Sequence, residues 1–108
     1  MANDFKNAQA VGVTSVTTIY TAPAAKTSIL LELDIANTLQ NVVEASVEIF
    51  DTSASTDAFL VKNAPVPAGG TLQVVAGQKV ILEATDIVKV TATGAVDVVA
   101  AILEDVNS

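Results

Sequence analysis

Carboxylates are the only reactive side chains that this 108-residue sequence holds in quantity. Glu32 and Asp34 stand two positions apart in one stretch of alternating residues, and Glu44 and Glu48 stand four apart in the next. Even spacings place side chains on one face of a strand, so a hairpin of the two stretches would gather the four carboxylates. Such a group could hold Ca²⁺, which takes about six to eight oxygens, or supply the acid and nucleophile of a glycosidase.

A solvated outer sheet face is the interpretation of these carboxylates that the rest of the sequence favours. No Asp-rich calcium-binding loop is present, and the few aromatic residues form no platform for a sugar ring. The four acids therefore remain only a weak calcium candidate, and we expect no metal or cofactor.

Nucleophilic catalysis lacks its usual side chains, because the chain has no cysteine and no histidine. The Gly69-Gly70 pair is followed by Thr71-Leu72, whereas a phosphate-binding loop continues with lysine and a hydroxyl residue. We therefore predict that the protein is not an enzyme and that Gly69-Gly70 forms a turn.

The charge balance argues against nucleic acid and membrane surfaces as partners. Five lysines face twelve acidic residues, for a net charge of −7. Binding to phosphate backbones or to anionic lipids requires clustered lysine and arginine. No apolar run approaches the roughly 20 residues of a membrane-spanning helix.

Alternation of apolar and polar residues is the dominant pattern, and it predicts strands. In Ser28–Asn37 it places Ile29, Leu31, Leu33 and Ile35 on the buried face. Further strands are predicted at Ala8–Val13, Ser15–Thr21, Val43–Phe50, Phe59–Lys62, Thr71–Val75, Lys79–Glu83, Ile87–Thr93 and Val96–Glu104. Ala76–Gln78 is expected to be a hairpin turn between two of them.

Eight or nine short strands with turn residues between them predict an all-β fold, an antiparallel β-sandwich of jelly-roll type. A closed barrel is the alternative. The whole chain, 1–108, is expected to form one domain, with short tails at 1–7 and 105–108.

The composition predicts association with other subunits. Apolar residues make up 51% of the chain and charged residues 16%, where about 25% charged is usual, and exposed apolar patches mark interfaces. Val96–Glu104 is apolar on both faces, which indicates either a strand covered on both sides or a subunit contact. The apolar residues predicted to lie on exposed faces and form contacts are Leu30, Phe50, Leu60, Val75, Val99 and Leu103.

Four segments together resemble a group of small virion proteins of tailed bacteriophages. They are the Tyr20–Pro23 turn with the long strand it leads into, which ends at Ala36-Asn37, the Leu60–Gly70 connection, the Lys79–Asp86 segment and the Val96–Ala100 strand. The Leu60–Gly70 connection holds two prolines and a glycine pair. The resemblance spans roughly residues 15–105.

The resemblance implies a virion component assembled in the cytoplasm of a bacterial host. It implies a head decoration, or cement, protein that binds between subunits of the major capsid protein, often as a homotrimer. Two alternatives stay open. One is a neck, tail or baseplate accessory such as a collar or fibre-attachment subunit, and the other is a carbohydrate- or cell-surface-binding β-sandwich module.

Overall fold

The computed structural model describes residues 4–104, and they form eight β-strands that pair only in antiparallel fashion. The strands are β1 (Asp4–Val13), β2 (Thr17–Thr21), β3 (Ser28–Asn37), β4 (Val43–Asp51), β5 (Thr56–Val66), β6 (Thr71–Leu82), β7 (Ile87–Ala92) and β8 (Val96–Glu104). Within this part of the chain, no helix is long and apolar enough to cross a membrane.

The strands form two four-stranded sheets, A and B, packed face to face. Sheet A has the order β1-β8-β3-β6 and sheet B the order β2-β7-β4-β5. The pairs β1·β8, β2·β7, β3·β6 and β4·β5 follow one another as a folded double ribbon would, which is the jelly-roll arrangement. The predicted antiparallel β-sandwich is confirmed, and the barrel alternative is wrong because the strands divide into two sheets.

The core lies between the sheets and consists of branched aliphatic side chains that alternate along each strand. β-branched residues suit the pleated surface, and two facing sheets remove them from water. The largest fully buried side chains are Leu30, Leu33, Ile35, Leu82, Ile102, Val47, Val66, Val75, Val88, Val90, Val96 and Val98.

The two apolar faces of β8 have different surroundings. Val98, Ala100 and Ile102 point into the core, whereas Val99 on the opposite face is 47% exposed. The outer face of β8 is therefore largely apolar, and no described residue covers Val99 fully.

A β-bulge in β3 reverses the predicted assignment of faces over its first half. The register against both neighbouring strands shifts between Leu30 and Glu32. Leu31 is an extra residue relative to β8, and residues 77–79 of β6 stand opposite it. Leu30 is consequently 0% exposed, and its prediction as an exposed contact residue is wrong. Ile29 and Leu31, predicted to be buried, are half-buried instead, and Ile29 faces outward.

β6 is one continuous strand where the sequence predicted two strands and a hairpin. Thr71–Leu82 pairs with β3 along its length, and residues 77–79 form an irregularity inside it. Gly77 has φ of 109° and Lys79 has φ of 59°, so the glycine serves a bulge instead of a turn.

A second register shift places Val75 in the core. Leu33 is paired with Val75 and Asp34 with Gln73, which leaves Val74 as an extra residue. Val75 is 0% exposed, so its prediction as an exposed contact residue is also wrong.

The predicted N-terminal tail is strand from residue 4 onward. Asp4 to Asn7 pair with Glu104 to Ala101 of β8, so a tail at these positions is wrong. Residues 1–3 and the predicted tail at 105–108 lie outside the described residues.

Candidate functional site

The four carboxylates of the calcium candidate are not brought together. Glu32 and Asp34 lie in β3 of sheet A, whereas Glu44 and Glu48 lie in β4 of sheet B. β3 and β4 are consecutive in sequence but belong to different sheets, so the expected hairpin does not exist. The weak calcium candidate made of these four residues is therefore wrong.

Glu32 and Asp34 form an acidic pair on the outer face of sheet A. The pKa of Asp34 is raised to about 6, mainly by burial and in smaller part by a hydrogen bond with Glu32. The Oδ1 atom of Asp34 is buried and has no hydrogen-bond partner. Such an atom costs free energy, because it has lost water without gaining a donor.

A different acidic cluster, which the sequence did not predict, lies between the end of β4 and the turn that joins β6 to β7. Carboxylate oxygens of Asp51, Glu83 and Asp86 all lie within 4.8 Å of one another. They border an open cleft of about 510 Å³ lined by Ile49, Asp51, Ala54, Thr56, Ala58, Ile81, Glu83 and Asp86.

Backbone groups already occupy much of this cluster. Asp86 is only 4% exposed; its Oδ1 accepts from the Thr52 N–H at 3.1 Å and its Oδ2 from the Glu83 N–H at 2.9 Å. Asp51 Oδ1 accepts from the N–H and hydroxyl of Ser53. These contacts cap two turns and tie them together, which accounts for the cluster as turn chemistry.

A polar network closes the end of the sandwich where β1, β2, β3 and β8 meet. The Tyr20 hydroxyl donates to the Glu104 carboxylate and lies 3.2 Å from the Ser28 hydroxyl, while Lys6 Nζ lies 3.2 Å from Glu104 Oε1. The hydrogen bond from Tyr20 holds the pKa of Glu104 below its usual value. Burial raises the pKa of Tyr20 to about 12, and the bond to Glu104 contributes. The network fastens the start of β1 to both sheets.

An apolar row crosses the whole outer face of sheet A close to that end. Phe5 of β1 is paired with Leu103 of β8, Leu103 with Ile29 of β3, and Ile29 with Ile81 of β6. Phe5 is 77% exposed and Ile81 58% exposed. We call these four residues the apolar row, and nothing in the described chain covers its two ends.

The outer face of sheet B is arranged differently, because lysines cover its aromatic rings. Lys62 Nζ lies 4.9 Å from the ring centre of Phe59, and Lys89 Nζ lies 4.9 Å from that of Phe50. Lys89 also pairs with Asp57 at 3.6 Å. Such cation–π contacts partly satisfy exposed rings within the chain itself.

The remaining predicted contact residues are divided between these faces. Val99 and Leu103 lie on the outer face of sheet A, with Leu103 in the apolar row. Phe50 lies half-buried on sheet B beneath Lys89, and Leu60 sits at a register shift in β5. Their role as contacts stays a prediction.

Comparison with known proteins assigns no family. No protein-family model matches the chain, and no curated protein matches it significantly by sequence. Among solved structures, the chain is similar to one from infectious bursal disease virus, Gt strain, with 12% identity, 96% of this chain covered and a TM-score of 0.36. The match covers 35% of that chain, so this chain spans about a third of its length. At this TM-score we draw no functional inference from the likeness.

Proposed function

We propose that the protein is a structural component of a tailed-bacteriophage virion, a decoration protein that binds the head exterior between capsid subunits. The apolar row on the outer face of sheet A is the observation that carries the proposal. A contiguous apolar surface of this kind is typical of protein that works in contact with another protein.

The segments that resemble phage virion proteins contact each other in the fold, which supports the proposal. Asn37, at the end of β3, donates through Nδ2 to the Val66 carbonyl at 3.0 Å, and its N–H donates to the Gly70 carbonyl at 2.9 Å. Ala22 of the Tyr20–Pro23 turn donates to the Asp86 carbonyl at 2.8 Å. The segments that carry the resemblance thus contact each other within one fold.

A jelly roll of this kind suits attachment because hydrogen bonds between its strands define the shape of the face before it binds. Preorganised surfaces lose little conformational entropy on association, so apolar burial is converted more fully into affinity. Added contacts across the seams of a shell would oppose separation of its subunits.

Copy counting in purified virions tests the proposal. The phage that carries the gene should contain this chain at hundreds of copies per particle, on the order expected of a head surface, and particles made without it should rupture at lower temperature. Quantitative mass spectrometry of virions and thermal release of DNA measure the two quantities.

Other copy numbers identify the alternatives. A dozen copies or fewer would replace the proposal with a neck, tail or baseplate accessory. Absence from virions, together with specific binding on a glycan array, would replace it with a carbohydrate-binding module.

A further inference from the structure

We propose that the outer face of sheet A is the docking face, and that its partner is a protein surface with an apolar centre and a neighbouring lysine or arginine. This inference rests on the proposed function, because it names the face and the partner chemistry by which attachment would occur.

The face combines the apolar row with further small and aliphatic side chains. Next to the row, Glu32 of β3 is flanked by Ala101 of β8 and Ala76 of β6. Beyond it, Asp34 of β3 is paired with Val99 of β8. The outer surface of the central strands is therefore apolar on both sides of one acidic pair.

The outward charged residues of the two central strands, β3 and β8, are all acidic. Glu32 and Asp34 point out from β3, and Asp97 of β8, paired with Ala36, is on the same side. Lys6 alternates with Phe5 and pairs with Glu104, and Lys79 lies in the bulge of the edge strand β6. A partner that carries a cation opposite the acidic pair is electrostatically complementary to it.

The acidic pair also argues against a second copy of this chain as the occupant. Two such faces brought together would place like-charged pairs in a shared apolar contact, where repulsion is strong. A lysine or arginine of another protein instead places the opposite charge beside the pair, where the exposed Glu32 carboxylate can accept its N–H groups.

The size of the face is adequate for a specific but modest contact. Four strands about 4.8 Å apart and ten residues at about 3.3 Å each define a surface on the order of 500–600 Å². Covering it removes about 1,000–1,200 Å² in total, at the lower end of specific interfaces. Many copies on one particle would suit a contact of this size.

Binding to particles assembled without this chain tests the face. Phe5→Ser and Ile81→Ser remove the exposed ends of the apolar row without touching the core, and each should weaken binding about fivefold or more. Val42→Ser is the matched control, since Val42 is 63% exposed but lies outside the sheet face. Its binding should equal that of wild type.

Charge reversal tests the chemistry of the partner. Glu32→Lys should weaken particle binding about tenfold or more at low salt. Glu44→Lys, at an exposed position on sheet B, should leave it unchanged. Wild-type binding should also weaken as salt rises, and the Glu32→Lys variant should depend on salt less steeply.

The outcomes separate this inference from the proposed function. Failure of wild type to bind particles would overturn the proposed function itself. Wild-type binding with no loss in Phe5→Ser, Ile81→Ser or Glu32→Lys would overturn only the docking face. A further variant, Phe50→Asp, probes the outer face of sheet B. Loss of binding confined to this variant would overturn the sheet A face and move the contact to sheet B. If Phe5→Ser and Ile81→Ser dissociated an oligomer in sedimentation but bound particles normally, a second copy would be the occupant.

Discussion

The Asp34 side chain lowers the stability of the free protein and also forms part of the acidic pair on the outer face of sheet A. It stands on the outer face of a central strand, where neighbours on both sides remove its carboxylate from water. Burial and the bond with Glu32 favour its protonated form and raise its pKa to about 6. Ionised Asp34 thus weakens the free protein, while the same charge would favour a cationic partner.

Replacing Asp34 with asparagine should therefore stabilise the free protein at pH 7. A carboxyl whose pKa rises from 3.8 to about 6 on folding makes stability fall as pH rises through that window, and Asn has no such titration. We expect a gain of about 1 kcal/mol at pH 7, less than the full shift implies because the side chain is only half-buried. At pH 4 the gain should vanish. Urea unfolding at both pH values measures it.

Glu44→Gln is the control for this prediction, because Glu44 is an exposed acid of the other sheet. Its stability should match wild type at both pH values. Equal stability of wild type and Asp34→Asn at pH 7 would contradict the cost assigned to Asp34.

At the scale of the element, bulges decide which residues of a strand belong to the core. β3 shows uninterrupted alternation in sequence, yet Leu31 is an extra residue relative to β8 and stands opposite residues 77–79 of β6. Residues on either side of it consequently follow opposite parities. The insertion buries Leu30, turns Ile29 outward, and so produces the apolar row.

Replacing Leu31 and Leu33 in turn with alanine tests this bulge. Leu33→Ala should cost about 2–5 kcal/mol of unfolding free energy, because Leu33 is fully buried between the sheets. Leu31→Ala should cost about 1 kcal/mol or less, since Leu31 is only half-buried. Denaturant titration compares them directly. Equal costs would mean that β3 alternates without a bulge and that both leucines face the core.

At the scale of the whole molecule, the two sheets depend on one shared core. The edge strands of the two sheets meet in pairs, β1 with β2 on one side and β5 with β6 on the other. The inner face of each sheet is therefore buried only by the other sheet. The Tyr20–Glu104 hydrogen bond links sheet B to sheet A at one end. Such an arrangement should unfold as one unit.

The single tyrosine provides a test of this coupling. Tyr20, in sheet B, is the only tyrosine of a chain without tryptophan. In Leu33→Ala, a change confined to sheet A, the tyrosine fluorescence and far-ultraviolet circular dichroism transitions should shift equally. Phe5→Ser, at an exposed site, should move neither by much. A tyrosine transition that stayed at the wild-type midpoint in Leu33→Ala would show that the sheets unfold separately.

The sequence by itself determined the all-β class, most strand positions and the chemistry that is available. Alternation and turn residues act over a few positions, so they can be read without a structure. Ser28–Asn37 was predicted with the bounds that β3 has, and Ile87–Thr93 and Val96–Glu104 came within one residue of β7 and β8. The lack of cysteine and histidine is likewise a property of composition alone.

The tertiary structure alone decided which faces are buried and which side chains meet. A bulge is specified by the fit of a strand to two neighbours, so the alternating pattern around Leu31 and the glycine at 77 did not reveal it. The division of β3 and β4 between sheets separated Glu32 from Glu44, and turns more than 30 residues apart in sequence joined Asp51 to Asp86. Each of these outcomes depends on long-range packing of the double ribbon, which local periodicity does not encode.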